Sequence, residues 1–374
     1  MSPPMHPNPF SPQTPGPTTH PGPRTNTWEG PTHTPTTTGA PLATIIRALG
    51  WGPHFHPNPH TGEPTKLRQR GAPSAGACQP LQWHITCGTG YDLPPGHHTL
   101  HPDTGTYTQR NNPNDPPPLP HGHATITITA LPQRTAARYH HRSAPAIIGD
   151  AAYATALLHA TTTGTNLTPH PLPGDATATA TRIALPPPTT WTNHWPNTPT
   201  EIPLTATHIT TPDADPTTTP HTHHTTPTGN CQPQPPTTPT PPYIPDTTDL
   251  GLDTPPPTLN TLDTPPPPIT IPTLLTRRSP HPHQLTTPTP PNTTAHGHPP
   301  LGPWCANQHW IDQTPHLHLF HASPNPHHQW TAHYQAAHTL ITHLTHGRNA
   351  RPISGWTHNP QHGNISHALA VEAP

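Results

Sequence analysis

The stretch Arg70-Gly-Ala-Pro-Ser-Ala-Gly-Ala-Cys-Gln-Pro80 is the most informative part of this chain. Every residue from position 71 to position 77 is glycine, alanine, serine or proline. Side chains this small let a backbone approach a flat ligand closely, with its amide N–H groups available to ligand acceptors. The stretch therefore predicts a ligand-binding loop centred on Pro73, Ser74, Ala75, Gly76 and Ala77.

Two further motifs follow this loop in order. The first is Leu93-Pro-Pro-Gly-His-His-Thr-Leu-His-Pro-Asp103, and the second is Arg134-Thr-Ala-Ala-Arg-Tyr-His-His-Arg-Ser143. The second leads into residues 146–163, the strongest helix pattern in the chain, which Gly164 is placed to end. One apolar stripe at helical spacing supports that helix: Ile147, Ala151, Ala154 and Leu158.

Taken together, the three motifs resemble the SagB-type dehydrogenases of the nitroreductase superfamily, over residues 40–175. The resemblance implies an α+β fold, an FMN cofactor and the oxidation of azolines to azoles in ribosomal peptide natural products. It also implies that residues 73–77 lie against the flavin. In the family a Lys-Tyr pair is associated with deprotonating the azoline, and the corresponding residues here are Arg138 and Tyr139.

The first residue of that catalytic pair departs from the family. Arginine stays protonated, so Arg138 cannot be the base. Its positive charge is expected to lower the pKa of Tyr139, which would leave Tyr139 as the base. The alternative is structural, with Arg138 and Tyr139 capping the following helix or packing on it.

A second group of candidate cofactor residues lies in Leu274-Leu-Thr-Arg-Arg-Ser-Pro-His281. This stretch resembles the Arg-Arg-Ser-x-Arg opening that holds the FMN phosphate in nitroreductases. The resemblance places Arg277, Ser279 and His281 at the phosphate, and arginine suits a phosphate because it makes paired charge-assisted hydrogen bonds. An exposed basic pair with no ligand is the alternative.

The order strand, helix, glycine occurs twice. Residues 124–131 and 316–321 have strand patterns, and each precedes a helix that ends near Gly164 or Gly347. Duplication would explain this order, although strand–helix–glycine is common in mixed folds. We expect a nitroreductase-like fold of two unequal pseudo-repeats: a disordered tail at 1–38, block 1 at 39–195, a Pro/Thr-rich linker at 196–270 and a partial block 2 at 271–374.

The two blocks have lost complementary parts of the family pattern. Block 1 keeps the loop at 73–77, but its opening, Arg24-Thr-Asn-Thr-Trp-Glu-Gly30, lacks most of the basic residues. Block 2 keeps Arg-Arg-Ser but is too short before Trp304 for a second small-residue loop. An internal pseudo-dimer with one composite site fits this pattern, and so does decay of both sites.

Composition limits the remaining possibilities. The 374 residues include 70 Pro and 24 Gly with only 27% hydrophobic residues, so much of the chain is expected to be disordered. A net charge of −2 disfavours a nucleic-acid partner. No apolar run is long enough for a membrane span, and no signal peptide is recognised, so a cytoplasmic protein is expected.

No metal site is predicted, although two patterns invite one. His221-Thr-His-His224 lies in Pro/Thr-rich sequence, and Cys305-x-x-x-His309 has two candidate ligands where structural zinc uses four. The expected partners are a peptide or small-molecule substrate and other peptide-modifying enzymes, with the chain acting as an internal pseudo-dimer or a homodimer. Two alternatives remain: a catalytically degenerate flavoprotein relative that binds a peptide or stabilises a complex, and a poorly folded product of a drifting gene.

Overall fold

The computed structural model describes residues 8, 10–11, 19–52, 55–58, 61, 63–111, 115–186, 191, 200–217, 231–232, 250, 265–277, 284–287 and 293–373. Within them the strands are β1 (Thr27–Trp28), β2 (Thr32–His33), β3 (Phe55–Pro57), β4 (Pro64–Arg68), β5 (Leu81–Cys87), β6 (Gly96–Leu100), β7 (Tyr107–Gln109), β8 (His123–Ala130), β9 (Thr168–Pro171), β10 (Ile202–Thr210), β11 (Cys231–Gln232), β12 (His316–His321), β13 (Ala350–Ile353), β14 (His358–Asn359) and β15 (Gly363–Val371). The helices are α1 (Leu42–Gly50), α2 (Pro132–Tyr139), α3 (Ser143–Thr163), α4 (Ala176–Arg182), α5 (Ile271–Arg277) and α6 (Pro326–Thr345).

Two antiparallel sheets organise the fold. The larger has the strand order β2-β7-β6-β5-β8-β10-β9, and the smaller has the order β12-β15-β13, with β14 also paired to β15. Helix α3 packs against α1, α2 and α6, and α6 packs on the smaller sheet. The expected α+β class is confirmed.

Helix α3 is the centre of the molecule. Every residue from 147 to 162 is buried, because the helix has neighbours on all sides. The sequence predicted one apolar stripe, and the all-round burial follows from the many alanines, whose small side chains admit close neighbours. The helix begins at Ser143, three residues before the expected start, and ends at Thr163, just before Gly164.

Strand β10 lies inside the range expected to be a linker. Residues 202–209 are buried, and the strand pairs with β8 on one side and β9 on the other. Apolar residues alternate with threonine over residues 204–207, the period-2 pattern that predicted β8, before His208 and Ile209 interrupt it. Its one proline, Pro203, stands near the strand's start, where the register shifts, and proline is tolerated at such positions.

The N-terminal segment is also part of the fold. Strand β2 pairs with β7 at the edge of the larger sheet, and Trp28 is only 6% exposed. The buried Asn26 donates a hydrogen bond of 2.8 Å to Glu201. The expectation of a disordered tail over residues 1–38 is therefore wrong for residues 26–33, because these few apolar and amide side chains find partners far away in the sequence.

Candidate functional site

A cleft of about 780 Å³ lies between the two halves of the chain. From the first half it is lined by the loop at 73–77 and by α3, and from the second by α6 and the strands β13 and β15. The five residues expected at the flavin (Pro73, Ser74, Ala75, Gly76 and Ala77) all line it, as do Arg138 and Tyr139. The structure thus brings these predicted residues together, while their contact with a cofactor stays a prediction.

The loop has a backbone conformation that its small residues permit. Gly76 has φ +54°, and Ala77 and Gln79 also have positive φ values of +56° and +52°. Such left-handed conformations are uncommon for residues other than glycine and often mark functional sites. A Cβ atom on Gly76 would lie 2.6 Å from Tyr139 Oη, so glycine is needed for Tyr139 to lie against the loop.

Asp150 of α3 fixes the conformation of this loop through hydrogen bonds. Its carboxylate accepts a hydrogen bond of 2.6 Å from Ser74 Oγ and one of 2.8 Å from the backbone N–H of Ala75. Ser74 Oγ also accepts from the N–H of Gln79 at 2.8 Å, and the N–H of Ala77 donates to the carbonyl of Ser74. The expectation that the loop's amides are available to a ligand is therefore wrong at positions 75, 77 and 79.

Burial raises the pKa of Asp150 to about 7, although its hydrogen bonds from Ser74 and Ala75 oppose the shift. A carboxyl group removed from water resists ionisation because the charged form loses its hydration. Ser74 and Ala75, which donate to Asp150, lie 76 and 75 residues before it in the sequence, so the motif at 70–80 gave no sign of this aspartate. Its place inside the predicted helix was the available signal, since a buried helix has little reason to contain a carboxylate.

Positive charge is concentrated in the cleft. The chain has 14 Lys and Arg residues, and the cleft is lined by five arginines: Arg68, Arg70, Arg138, Arg142 and Arg351. Burial, followed by the charges of Arg134 and Arg24, lowers the pKa of Arg70 to about 9. Arg138 Nη1 donates to the carbonyl of Gly76 at 2.8 Å. The cleft is thus suited to an anionic ligand.

Tyr139 is half-buried beside these arginines. Burial raises its pKa to about 12, and Cys78 adds to this rise, while the charge of Arg138 opposes it. The expected net lowering by Arg138 is therefore wrong, because the loss of hydration outweighs the attraction of the guanidinium. Tyr139 is a neutral phenol near pH 7, which can donate a hydrogen bond.

The second group of predicted cofactor residues is largely outside the described part of the chain. Arg277 is the last residue of α5, and the structure describes its backbone only. Ser279 and His281 lie outside the described residues, as do residues 221–224. The composite site with Arg277, Ser279 and His281 at a phosphate stays a prediction.

The cleft also contains two buried histidines that the sequence did not single out, His333 on α6 and His367 on β15. Among the described residues, no group of three or more His, Cys, Asp or Glu is arranged to hold a metal ion. In the same part of the chain, none of the helices is both long and apolar enough for a membrane span.

Comparison with known proteins identifies the fold. No protein-family model matches the chain, and no curated protein matches it. Among solved structures, a protein assigned as a nitroreductase from Anabaena variabilis superposes with a TM-score of 0.54 at 14% identity, over 89% of this chain and 87% of that one. The chain therefore has a nitroreductase-like fold.

Two other solved structures match less well. The E. coli microcin synthetase McbBCD complex with truncated pro-MccB17 bound has a TM-score of 0.32 at 14% identity, over 50% of this chain and 69% of that one. A protein assigned as a nitroreductase from Ralstonia eutropha has a TM-score of 0.25 at 14% identity, over 55% of this chain and 98% of that one.

Proposed function

We propose that this chain is an FMN-dependent oxidoreductase. The observation that carries the proposal is the arginine-lined cleft between the two halves of a nitroreductase-like fold, with the small-residue loop at 73–77 on its wall. FMN combines a flat ring with a dianionic phosphate, so it needs both a close backbone surface and concentrated positive charge.

The residues present fit this cofactor. The loop lines the cleft with small residues, among them Ala72, Ala75 and Ala77, so a flat ring can approach its backbone closely. Arg70 is 7% exposed and lies among other cations, and an anion in the cleft would relieve their mutual repulsion. Arg68 and Arg351 would join Arg70 as phosphate partners, beside the contribution expected of Arg277, Ser279 and His281.

The reaction class we propose is the oxidation of an azoline to an azole in a modified peptide. Support for it comes from the three ordered motifs of the first half, which resemble SagB-type dehydrogenases. FMN, when bound, supplies the two-electron acceptor for such an oxidation. Because Tyr139 is neutral near pH 7, we assign it a hydrogen bond to the reacting group, and proton removal then requires its transient ionisation or a base on the substrate.

Flavin titration tests the proposal. Wild-type protein should bind FMN more tightly than riboflavin, measured by quenching of flavin fluorescence, because only FMN has a phosphate. Arg351→Gln should weaken FMN binding by about 10-fold or more, the equivalent of one lost hydrogen bond to a charged group, and leave riboflavin binding unchanged. Arg348→Gln is the matched control, since Arg348 is not among the residues that line the cleft.

A protein that binds no flavin would contradict the enzyme proposal. The raised pKa of Tyr139 favours a second candidate in that case, a catalytically degenerate relative that binds a peptide or stabilises a biosynthetic complex. Such a protein should bind peptide in the same cleft and stay colourless after incubation with FMN.

A further inference from the structure

A pair of histidines lies where the edge strand of the smaller sheet meets α6. His318 is on β12 and His343 is in the last turn of α6, and their Nε2 atoms are 3.1 Å apart. The centres of the two rings are 5.1 Å apart. The residues are 25 positions apart in the sequence, so only the packing of the helix on the strand brings the two rings together.

Both rings project from backbone that the core holds in place. Side chains alternate between the two faces of a strand, and Leu317 and Leu319 of β12 pack into a cluster of buried side chains, so His318 lies on the opposite face. Leu340 and Leu344, both fully buried, anchor the last turns of α6 in the core. The two rings therefore meet without any reordering of the backbone.

The pair is open to solvent. His318 is exposed and His343 is half-buried. His123 and His208 have ring nitrogens at the same 3.1 Å separation, but these two residues are only 2% and 4% exposed. An ion that carries water ligands can therefore reach His318 and His343 in the folded protein, whereas it cannot reach the buried pair.

The separation of the two Nε2 atoms suits two ligands of one metal ion. With metal–nitrogen bonds of about 2.0–2.1 Å, two imidazole nitrogens are about 2.9 Å apart at a right angle and about 3.4 Å apart at a tetrahedral angle. The observed 3.1 Å lies between these values. Without metal the same distance suits a hydrogen bond between two neutral imidazoles. A metal ion would replace that proton, and the donating ring would change to its Nδ1–H tautomer.

The charges around the pair favour one class of metal. Burial, followed by the charges of His318, Arg348, His346 and His316, lowers the pKa of His343 to about 4. All four of these neighbours are bases, so an ion at this point gains no attraction from them and must be held by coordination to imidazole. Imidazole suits copper, nickel and zinc, whereas magnesium and calcium prefer oxygen ligands.

We propose that His318 and His343 bind one divalent transition-metal ion of the copper, nickel and zinc class through their Nε2 atoms. Within the part of the chain that the structure describes, no third His, Cys, Asp or Glu is placed to join them, so water completes the coordination. The ion would link the edge strand β12 to α6. Neither histidine lines the cleft, and the proposal does not depend on a flavin.

Titration calorimetry of the full chain with Cu²⁺, Zn²⁺ and Mg²⁺ tests the proposal. His318→Gln and His343→Gln should each weaken Cu²⁺ and Zn²⁺ binding by about 10-fold or more, because even an outer-shell partner of a metal ligand contributes that much. Mg²⁺ should not bind at this site.

His338→Gln is the matched control. His338 is a half-buried histidine on the same helix, and its Nε2 is hydrogen-bonded to the carbonyl of Pro265 at 3.2 Å. Thermal unfolding without metal verifies that each variant is folded. Because His318 is exposed, His318→Gln keeps the test decisive even if His343→Gln does not fold.

The chain has 38 histidines, so a second measurement locates the ion. Cu²⁺ is paramagnetic and broadens the NMR signals of nuclei close to it. Substoichiometric Cu²⁺ should first broaden the backbone amide signals of residues 317–319 and 342–344. This selective broadening should be lost in His318→Gln and kept in His338→Gln.

The proposal is overturned if His318→Gln and His343→Gln bind Cu²⁺ and Zn²⁺ as tightly as the wild type and His338→Gln do. It is also overturned if the broadening is spread over histidines throughout the chain without preference for these two segments.

Discussion

Asp150 is a buried carboxyl group whose ionisation opposes folding. Its pKa rises from 3.8 in an unfolded chain to about 7 in the folded protein. A raised pKa means that the folded state binds a proton more tightly than the unfolded state. Its contribution to stability is therefore fully present below about pH 4 and is lost as the pH rises through 7, at a total of roughly 4 kcal/mol.

We expect Asp150→Asn to remove this pH dependence, because an amide does not ionise. The difference in the free energy of unfolding between wild type and Asp150→Asn should change in favour of the variant as the pH rises from 5 to 8. Urea unfolding at several pH values measures it, with Glu63→Gln as an exposed control that should follow the wild type. Taking the difference removes the opposite slope of the buried histidines, whose lowered pKa values cost stability in acid.

Sequence patterns at the residue scale predicted one wall of the cleft and missed the other. Residues 73–77, Arg138 and Tyr139 were found because short motifs mark them. His333, His367 and Arg351 were missed because nothing near them in the sequence distinguishes them from the many other histidines and arginines. Only the packing of α6 against α3, and of β13 and β15 against α6, brings them to the cleft.

Among the elements, those with strong local patterns were predicted well. Strand β8 lies within one residue of the expected 124–131, and strand β12 matches the expected 316–321. Strand β10 was not predicted, because residues 196–270 are rich in proline and threonine and that composition predicted a linker. The alternation of apolar residues with threonine covers only residues 204–207 in β10, whereas it covers residues 124–130 in β8, so the local signal for β10 is weaker.

The N-terminal segment gives a prediction at this scale. Trp28 is 6% exposed, and the guanidinium of Arg110 lies 4.0 Å from the centre of its ring. Trp28→Ala should cost about 3–5 kcal/mol of folding free energy, the usual range for a buried tryptophan. Thr36→Ala, at an exposed position of the same segment, should cost much less. Equal unfolding midpoints in urea for the two variants would show that residues 26–33 are dispensable.

For the whole molecule, the two halves share one core. A single cluster of buried residues includes Leu42 and Ile126 from the first half and Leu340 and Leu369 from the second. Helices α3 and α6 contact each other through their side chains. One of these contacts is the 3.3 Å hydrogen bond between His159 and Tyr334. This arrangement is what an internal pseudo-dimer requires, and descent of the two halves from one ancestor stays a prediction.

A cut between the halves tests whether this shared core, and not the connecting chain, holds the cleft together. A specific protease site inserted after Thr240, in Pro/Thr-rich sequence, allows the folded protein to be cleaved once. The two fragments should elute together on size exclusion and should bind the same ligands, with affinity within about threefold of the intact chain, because a tether contributes effective concentration and no contacts. The uncleaved insertion variant is the control. Fragments that separate, or that stay together but lose the ligand, would mean that the connection itself maintains the cleft.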